Sequence, residues 1–244
     1  MSDFLTVLEK GIAELKIDLT GEQKSQYLQY QELLTYWNQK INLTAIKEER
    51  VIAIKHFLDS LAAGALMKWD KQGIMLDLGS GAGFPGLVLK IWQPQWQFTL
   101  VDSVQKKVNF MNLVIESLRL EKTIAVHRRA EDLGRLADHR HRYDRVVARA
   151  VAALPVLCEY CLPLVATGGY FYALKGPNYR EELEQAQAAI AVLGGRLETV
   201  REYRLPLTKD SRSLIIIEKT RDTPKQYPRK SGLPGKKPIM QKQQ

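Results

Sequence analysis

Residues 74–86 read Ile74-Met75-Leu76-Asp77-Leu78-Gly79-Ser80-Gly81-Ala82-Gly83-Phe84-Pro85-Gly86. The first five form a short apolar run of the kind found in a parallel strand buried on both faces. The glycines that follow allow positive φ and let backbone approach a ligand closely. Pro85 suits the first turn of a helix. A glycine loop gains meaning as a nucleotide site when a strand precedes it and a helix follows, as here. Asp102, twenty-one residues beyond Gly81, closes the next apolar run, Gln97–Asp102. A carboxylate at that point can accept hydrogen bonds from both hydroxyls of a ribose lying across the strand ends.

The spacing separates ligand classes. A dinucleotide fingerprint beginning at Gly79 requires glycine where Phe84 stands, because the third glycine permits close helix–strand packing. The observed Gly-x-Gly-x-Gly, with Asp77 two residues ahead, suits a nucleoside ligand without pyrophosphate. Gly79, Gly81, Gly83 and Asp102 are therefore candidate cofactor-binding residues.

Downstream of the loop, strand-like and helix-like stretches alternate. Val104–Leu118 reads as helix, Thr123–His127 and Tyr143–Ala148 as strands, Ala152–Leu164 as helix, Gly169–Lys175 as strand and Arg180–Leu193 as helix. This alternation predicts an α/β fold with a doubly wound, mostly parallel, Rossmann-like sheet. Two late strands, Leu197–Tyr203 and Leu214–Lys219, have no helix between them and are expected to form an antiparallel pair at one edge. Upstream, Phe4, Leu5, Leu8, Ile12 and Leu15 recur at helical spacing. Thr20-Gly21-Glu22-Gln23 is a capping box opening a second helix. The expected organisation is an N-terminal helical extension over 1–71, packed on the sheet and helping to wall the cofactor pocket. An α/β domain over 72–220 follows, then a basic, flexible and extended tail over 221–244.

With 244 residues, 45% of them hydrophobic and 26% charged, the chain falls close to globular averages, which argues against wholesale disorder. No apolar run approaches the roughly 20 residues of a membrane span. The start, Met1-Ser2-Asp3-Phe4, lacks the plan of a signal peptide, so a cytoplasmic location is expected. Cys158 and Cys161 lie one turn apart with no second pair to complete a zinc site, and read as core thiols. The net charge of +9 is uneven: from Lys219 onward eight Lys/Arg stand against one acid, Asp222. A nearly neutral body with a basic end points to a polyanionic partner, nucleic acid foremost.

Asp-x-Gly-x-Gly-x-Gly followed by an acid at the second strand resembles class I S-adenosylmethionine-dependent methyltransferases. The wording from Leu78 to Gly86 is narrower. With Leu100-Val101-Asp102-Ser103, Arg129-Ala130-Glu131 and Ala148-Arg149-Ala150-Val151 it resembles the bacterial RsmG (GidB) family. Trp37-Asn38, Ile41-Asn42-Leu43-Thr44, His56, Asp59-Ser60 and Leu174-Lys175-Gly176 extend the resemblance over roughly residues 27–219. It implies S-adenosylmethionine as cofactor and N7 methylation of a guanine in the decoding-centre loop of 16S rRNA, on the RNA or the 30S particle. It also implies cofactor contacts at Gly79, Phe84, Asp102, Ser103, Ala130, Glu131 and Arg149. The tail, Tyr227-Pro228-Arg229-Lys230 with Gly232-Leu233-Pro234, resembles only some members.

The absent motifs agree. Exocyclic amine methylation is served by Asn/Asp-Pro-Pro-aromatic after the fourth strand, where this chain has Ala148-Arg149-Ala150-Val151. Methylation of pyrimidine carbon needs a nucleophilic cysteine, and neither cysteine follows a proline in the expected place. Guanine N7 carries an in-plane lone pair and no proton, so no catalytic base is assigned and none is required. Candidate RNA contacts are Lys175 at the fifth strand and Arg229, Lys230, Lys236 and Lys237 in the tail. Arg128, Arg129, Arg140 and Arg142 are further candidates. No metal is expected, and a monomer is the expected state. Two rival readings remain open on sequence alone, a nicotinamide-dependent oxidoreductase and a noncatalytic RNA-binding protein.

Overall fold

Two helices, α1 (Asp3–Leu15) and α2 (Gly21–Ile41), begin the chain in a computed structural model that describes residues 2–240. The hydroxyl of Ser2 caps α1 by accepting from the Leu5 N–H. The capping box at α2 is complete: Gln23 N–H donates to Thr20 Oγ1 at 3.2 Å and Thr20 N–H to Gln23 Oε1 at 3.0 Å. A short helix α3 (Glu49–Ile52) then runs through a π-helical turn (Ala53–Leu58) into α4 (Asp59–Ala65).

The remaining elements are β1 (Ile74–Leu78), α5 (Gly86–Trp92), β2 (Gln97–Asp102), α6 (Gln105–Ser117), β3 (Thr123–His127), α7 (Ala130–Leu133), β4 (Tyr143–Arg149), α8 (Leu154–Cys161), β5 (Val165–Lys175), α9 (Arg180–Val192), β6 (Gly195–Arg204), β7 (Ser211–Lys219) and α10 (Leu233–Lys236). The sheet order is β3-β2-β1-β4-β5-β7-β6. Strands β1 to β5 pair in parallel, while β7 runs antiparallel to both β5 and β6. The order reverses between β1 and β4. In an open α/β sheet that switch point leaves a crevice outside the carboxyl ends of the strands.

The N-terminal helices share one core with the sheet. Phe4, Leu8, Tyr27, Tyr30 and Phe57 pack in the same cluster as Leu87, Leu100 and Phe110. The helices within residues 2–71 are thus built into this face. The opposite face is covered by α8 and α9, with Cys158 and Cys161 fully buried and their thiols pushed up by that burial. Among the described residues no cluster of side chains could hold a metal, and no helix is long and apolar enough to cross a membrane.

The expectation of an extended, flexible tail needs correction over 221–240; residues 241–244 of that segment lie outside the described residues. Thr223 and Pro234 are buried. The Arg140 guanidinium donates to four carbonyl oxygens, those of Gly134, Thr223, Pro224 and Tyr227. Arg135 Nε donates to Pro228 O at 3.0 Å. Proline and lysine content suggests a segment with little to bury. Its backbone nevertheless finds donors on the body, which offset the cost of ordering it.

Candidate active site

The glycine loop is shaped by the strands on either side of it. Gly79 and Ser80 donate their N–H groups to Val101 O at 2.8 and 3.0 Å, stitching the loop to the end of β2. Gly79 has φ +72°, and a Cβ there would come within 2.4 Å of Val151, so glycine is demanded twice over. From the other side, Tyr30 Oη donates to Ala82 O at 2.5 Å and Tyr27 Oη to Val88 O at 2.9 Å. Helix α2 therefore holds both the loop and α5.

Asp102 faces the loop. Its Oδ2 accepts from Gly81 N–H and its Oδ1 from Val104 N–H, each at 2.9 Å, with Lys107 Nζ 3.9 Å from Oδ2. Each carboxylate oxygen retains a second lone pair. The carboxylate lines a crevice of about 700 Å³. Gly79, Ser103, Ala130 and Glu131 line it too, and Val101, Val151 and Val156 supply apolar wall. Arg128 and Arg129 stand at its margin. No described residue among the first seventy lines it. The expected wall from the N-terminal helices is instead provided by the C-terminal segment, through Gly232, Gly235 and Pro238.

Three predicted cofactor contacts occupy unexpected surroundings. The Phe84 ring is buried, stacked on Tyr30 at 5.1 Å and on His56 at 4.6 Å, and it backs the loop instead of lining the crevice. Glu131 Oε1 accepts from Gly232 N–H at 2.8 Å. Arg149 lies over Phe84 and donates to Asp59 Oδ2 at 3.0 Å, Lys55 O at 3.1 Å and His56 Nδ1 at 3.3 Å. Its side chain faces a second cavity of about 410 Å³, which shares Ala150 with the crevice.

That second cavity is rimmed by Lys55, Arg149, Lys175 and Arg212, with Asp59 and Tyr203 among them. Asp59 balances part of this charge, accepting from Tyr203 Oη at 3.2 Å and lying 3.7 Å from Arg212. Burial, with the Arg149 charge beside it, lowers His56 to about 3. The imidazole is therefore neutral at pH 7. Because Arg149 donates to Nδ1, the proton sits on Nε2, which donates to Thr44 Oγ1 at 2.9 Å.

The proposed RNA contacts divide. Lys175 Nζ is held inside, donating to Ala152 O at 2.8 Å and pairing with Glu182 at 2.7 Å. Arg229 is also engaged, in four hydrogen bonds to the buried carboxylate of Glu159. Arg140 is occupied by the tail carbonyls, while Lys230, Lys236 and Lys237 are exposed. Sequence reasoning missed Tyr30, Tyr203 and Arg212. It also missed Asp59 as a partner of Arg149, although Asp59 stood in a quoted motif. A tyrosine at helical spacing carries no mark that its hydroxyl will meet a loop fifty residues away.

Asp77 supports the loop from below. Its Oδ2 accepts from Gly86 N–H at 2.8 Å, while Oδ1 is buried without a hydrogen-bond partner among the described residues. Burial raises its carboxyl to about 7, partly opposed by the bond from Gly86. An acid raised on folding is stabilising when protonated, so stability falls as pH rises from its unfolded value, near 4, through 7. Urea unfolding of the wild type and Asp77→Asn at pH 4.5 and 8 should reveal this as a pH-dependent difference. The wild type should lose stability relative to the variant by up to about 4 kcal/mol across that range. A constant difference would place the proton elsewhere.

The family profile described as GidB, rRNA small subunit methyltransferase G, matches residues 23–214. A Desulforamulus reducens protein named ribosomal RNA small subunit methyltransferase G is 47% identical over 98% of this chain and 100% of its own length. The Bacillus subtilis protein of the same name is 44% identical, over 94% and 96% respectively. Among solved structures, a geranyl diphosphate C-methyltransferase from Streptomyces coelicolor aligns with a TM-score of 0.54 at 15% identity, covering 78% of this chain and 98% of that one. TrmN from Thermus thermophilus aligns at 0.52 with 18% identity, over 68% and 53%. These two likenesses concern the fold, a class I methyltransferase sheet. With a profile that takes in the loop, Asp102 and Arg149, and with relatives matched along almost their whole length, the chain belongs to the rRNA small subunit methyltransferase G (GidB) family.

Proposed function

We propose that this protein transfers a methyl group from S-adenosylmethionine to N7 of a guanine in the decoding-centre loop of 16S rRNA, acting in the cytoplasm as a single chain. One observation carries the reading beyond family membership. The nucleoside-sized crevice has Ala150 in common with a second cavity, which is rimmed by four cations. Neighbouring places for donor and acceptor are thus both lined by residues of this chain.

The crevice residues fit the cofactor. Asp102 presents a carboxylate already oriented by two backbone N–H groups. Gly79 brings its backbone to the crevice wall, and the valine walls suit an adenine face. When bound, S-adenosylmethionine supplies a methyl group made electrophilic by its sulfonium. The chain's own work is orientation and exclusion of water. Arg149, Arg212 and Lys55 offer positive charge to a nucleotide entering the second cavity.

The surroundings also suit an acceptor that has no proton to lose. His56 is neutral, with both ring nitrogens engaged. Asp59 and Lys175 are held in ion pairs. None of these is a free general base. Lys230, Lys236 and Lys237 add backbone affinity for RNA, which weakens with salt.

Incubating the protein with methyl-labelled S-adenosylmethionine and either 30S particles or naked 16S rRNA tests the reading. Nuclease digestion should return the label as 7-methylguanine. Label on another base or position, or none on RNA, overturns it and reopens the oxidoreductase and noncatalytic readings.

A further inference from the structure

The C-terminal segment reaches the crevice by a series of clasps. Lys219, fully buried, donates to Leu162 O and Leu193 O, and its ammonium also meets the Thr223 hydroxyl. Arg140 and Arg135 then hold the carbonyls of Thr223, Pro224, Tyr227 and Pro228. Glu159, with no exposed surface, takes both the Arg229 backbone N–H at 2.7 Å and its guanidinium at 2.6 Å. That guanidinium is raised further above its usual value by the bond to Glu159. Last, Ser231 Oγ donates to Asp132, and Gly232 N–H to Glu131 Oε1.

The final clasps stand beside the crevice. Glu131 follows Ala130, and Glu159 precedes Tyr160; Ala130, Glu131 and Tyr160 all line the cavity. Beyond them the chain passes along the opening, where two of its lining residues, Gly232 and Gly235, have no side chain. A Cβ built on Gly235 meets nothing within 4 Å. Glycine at these points leaves backbone free to approach a ligand, as in the loop on the opposite wall.

We propose that residues 229–238 are part of the cofactor site, closing the end of the crevice nearest Ala130 and Tyr160 over the base of a nucleoside whose ribose rests on Asp102. In this arrangement Glu131 is a positioning residue: its carboxylate fixes the Gly232 backbone. Glu159 acts likewise through Arg229. The proposal rests on the reading of the crevice as the S-adenosylmethionine site.

Calorimetric binding of S-adenosylhomocysteine to the full chain tests it, with dissociation followed by stopped flow. Arg229→Ala should weaken affinity by roughly tenfold or more through faster dissociation. It also leaves a buried carboxylate unpaired, which endangers folding. Gly235→Trp removes no clasp and adds bulk where space is open. It should weaken binding by roughly tenfold or more while the melting temperature is retained. Unchanged affinity in Gly235→Trp overturns the proposal whatever Arg229→Ala does. If the wild-type chain itself fails to bind, it is the crevice reading that falls.

Discussion

Asp102→Ala is expected to weaken S-adenosylhomocysteine binding at least about a hundredfold and to abolish methyl transfer at ordinary cofactor concentrations. The reason is geometric. Gly81 and Val104 hold the two oxygens at 2.9 Å each before any ligand arrives, so a ribose diol meets an acceptor pair already in place. Hydrogen bonds to a charged group contribute about 1.5–3 kcal/mol apiece, and the alanine variant loses two of them. It also leaves Gly81 N–H without its partner. Asp102→Asn keeps the shape and one acceptor and should fall between the two. Calorimetry at matched circular dichroism distinguishes these outcomes. Wild-type affinity in the alanine variant would mean that the sugar is gripped by another group.

Phe57→Ala should cost about 3–5 kcal/mol of stability, measured by urea unfolding. Phe57 has no exposed surface and stands in edge-to-face contact with Phe4 at 4.9 Å, Tyr27 at 5.6 Å, Tyr30 at 5.2 Å and Phe84 at 5.3 Å. These rings join α1, α2 and the π-helical turn to the glycine loop. The cavity left by the alanine cannot be filled by any one neighbour. Tyr30, released on one side, would then hold Ala82 O less firmly, so cofactor affinity should fall as well. Phe57→Leu preserves most of the volume and should cost less than half as much. A cost below 1 kcal/mol for the alanine variant would show that the helical layer contributes little to this core.

How much of this was legible beforehand follows from the range of each interaction. Strand β1, the loop and Asp102 announce themselves because glycine, aspartate and apolar periodicity act within a few residues. The antiparallel edge was also readable, since no helix separates β6 from β7. The order of the C-terminal segment was not. Its prolines and cations describe a chain that cannot bury itself, and the groups that hold it, Arg140 and Glu159, lie 70 to 87 residues away. A cation in sequence looks identical whether it meets phosphate or a buried carboxylate, and the partner of Arg229 in the fold is Glu159. Phe84 and Arg149 stand out in the sequence through the motifs around them, but not through what they touch. Their partners Tyr30, His56 and Asp59 come from the helical layer, whose spacing says only which face is apolar.

The outermost strand has a consequence for how copies of the molecule meet. Strand β6 presents Arg196, Glu198, Arg201, Glu202 and Arg204, and its pairing with β7 slips by one residue between Leu197 and Thr199. An unfilled row of amide and carbonyl groups invites another polypeptide to dock and propagate. Alternating ionised side chains and an irregular pleat make that docking unfavourable. The margin of the sheet farthest from the crevice is thereby blunted against templated growth.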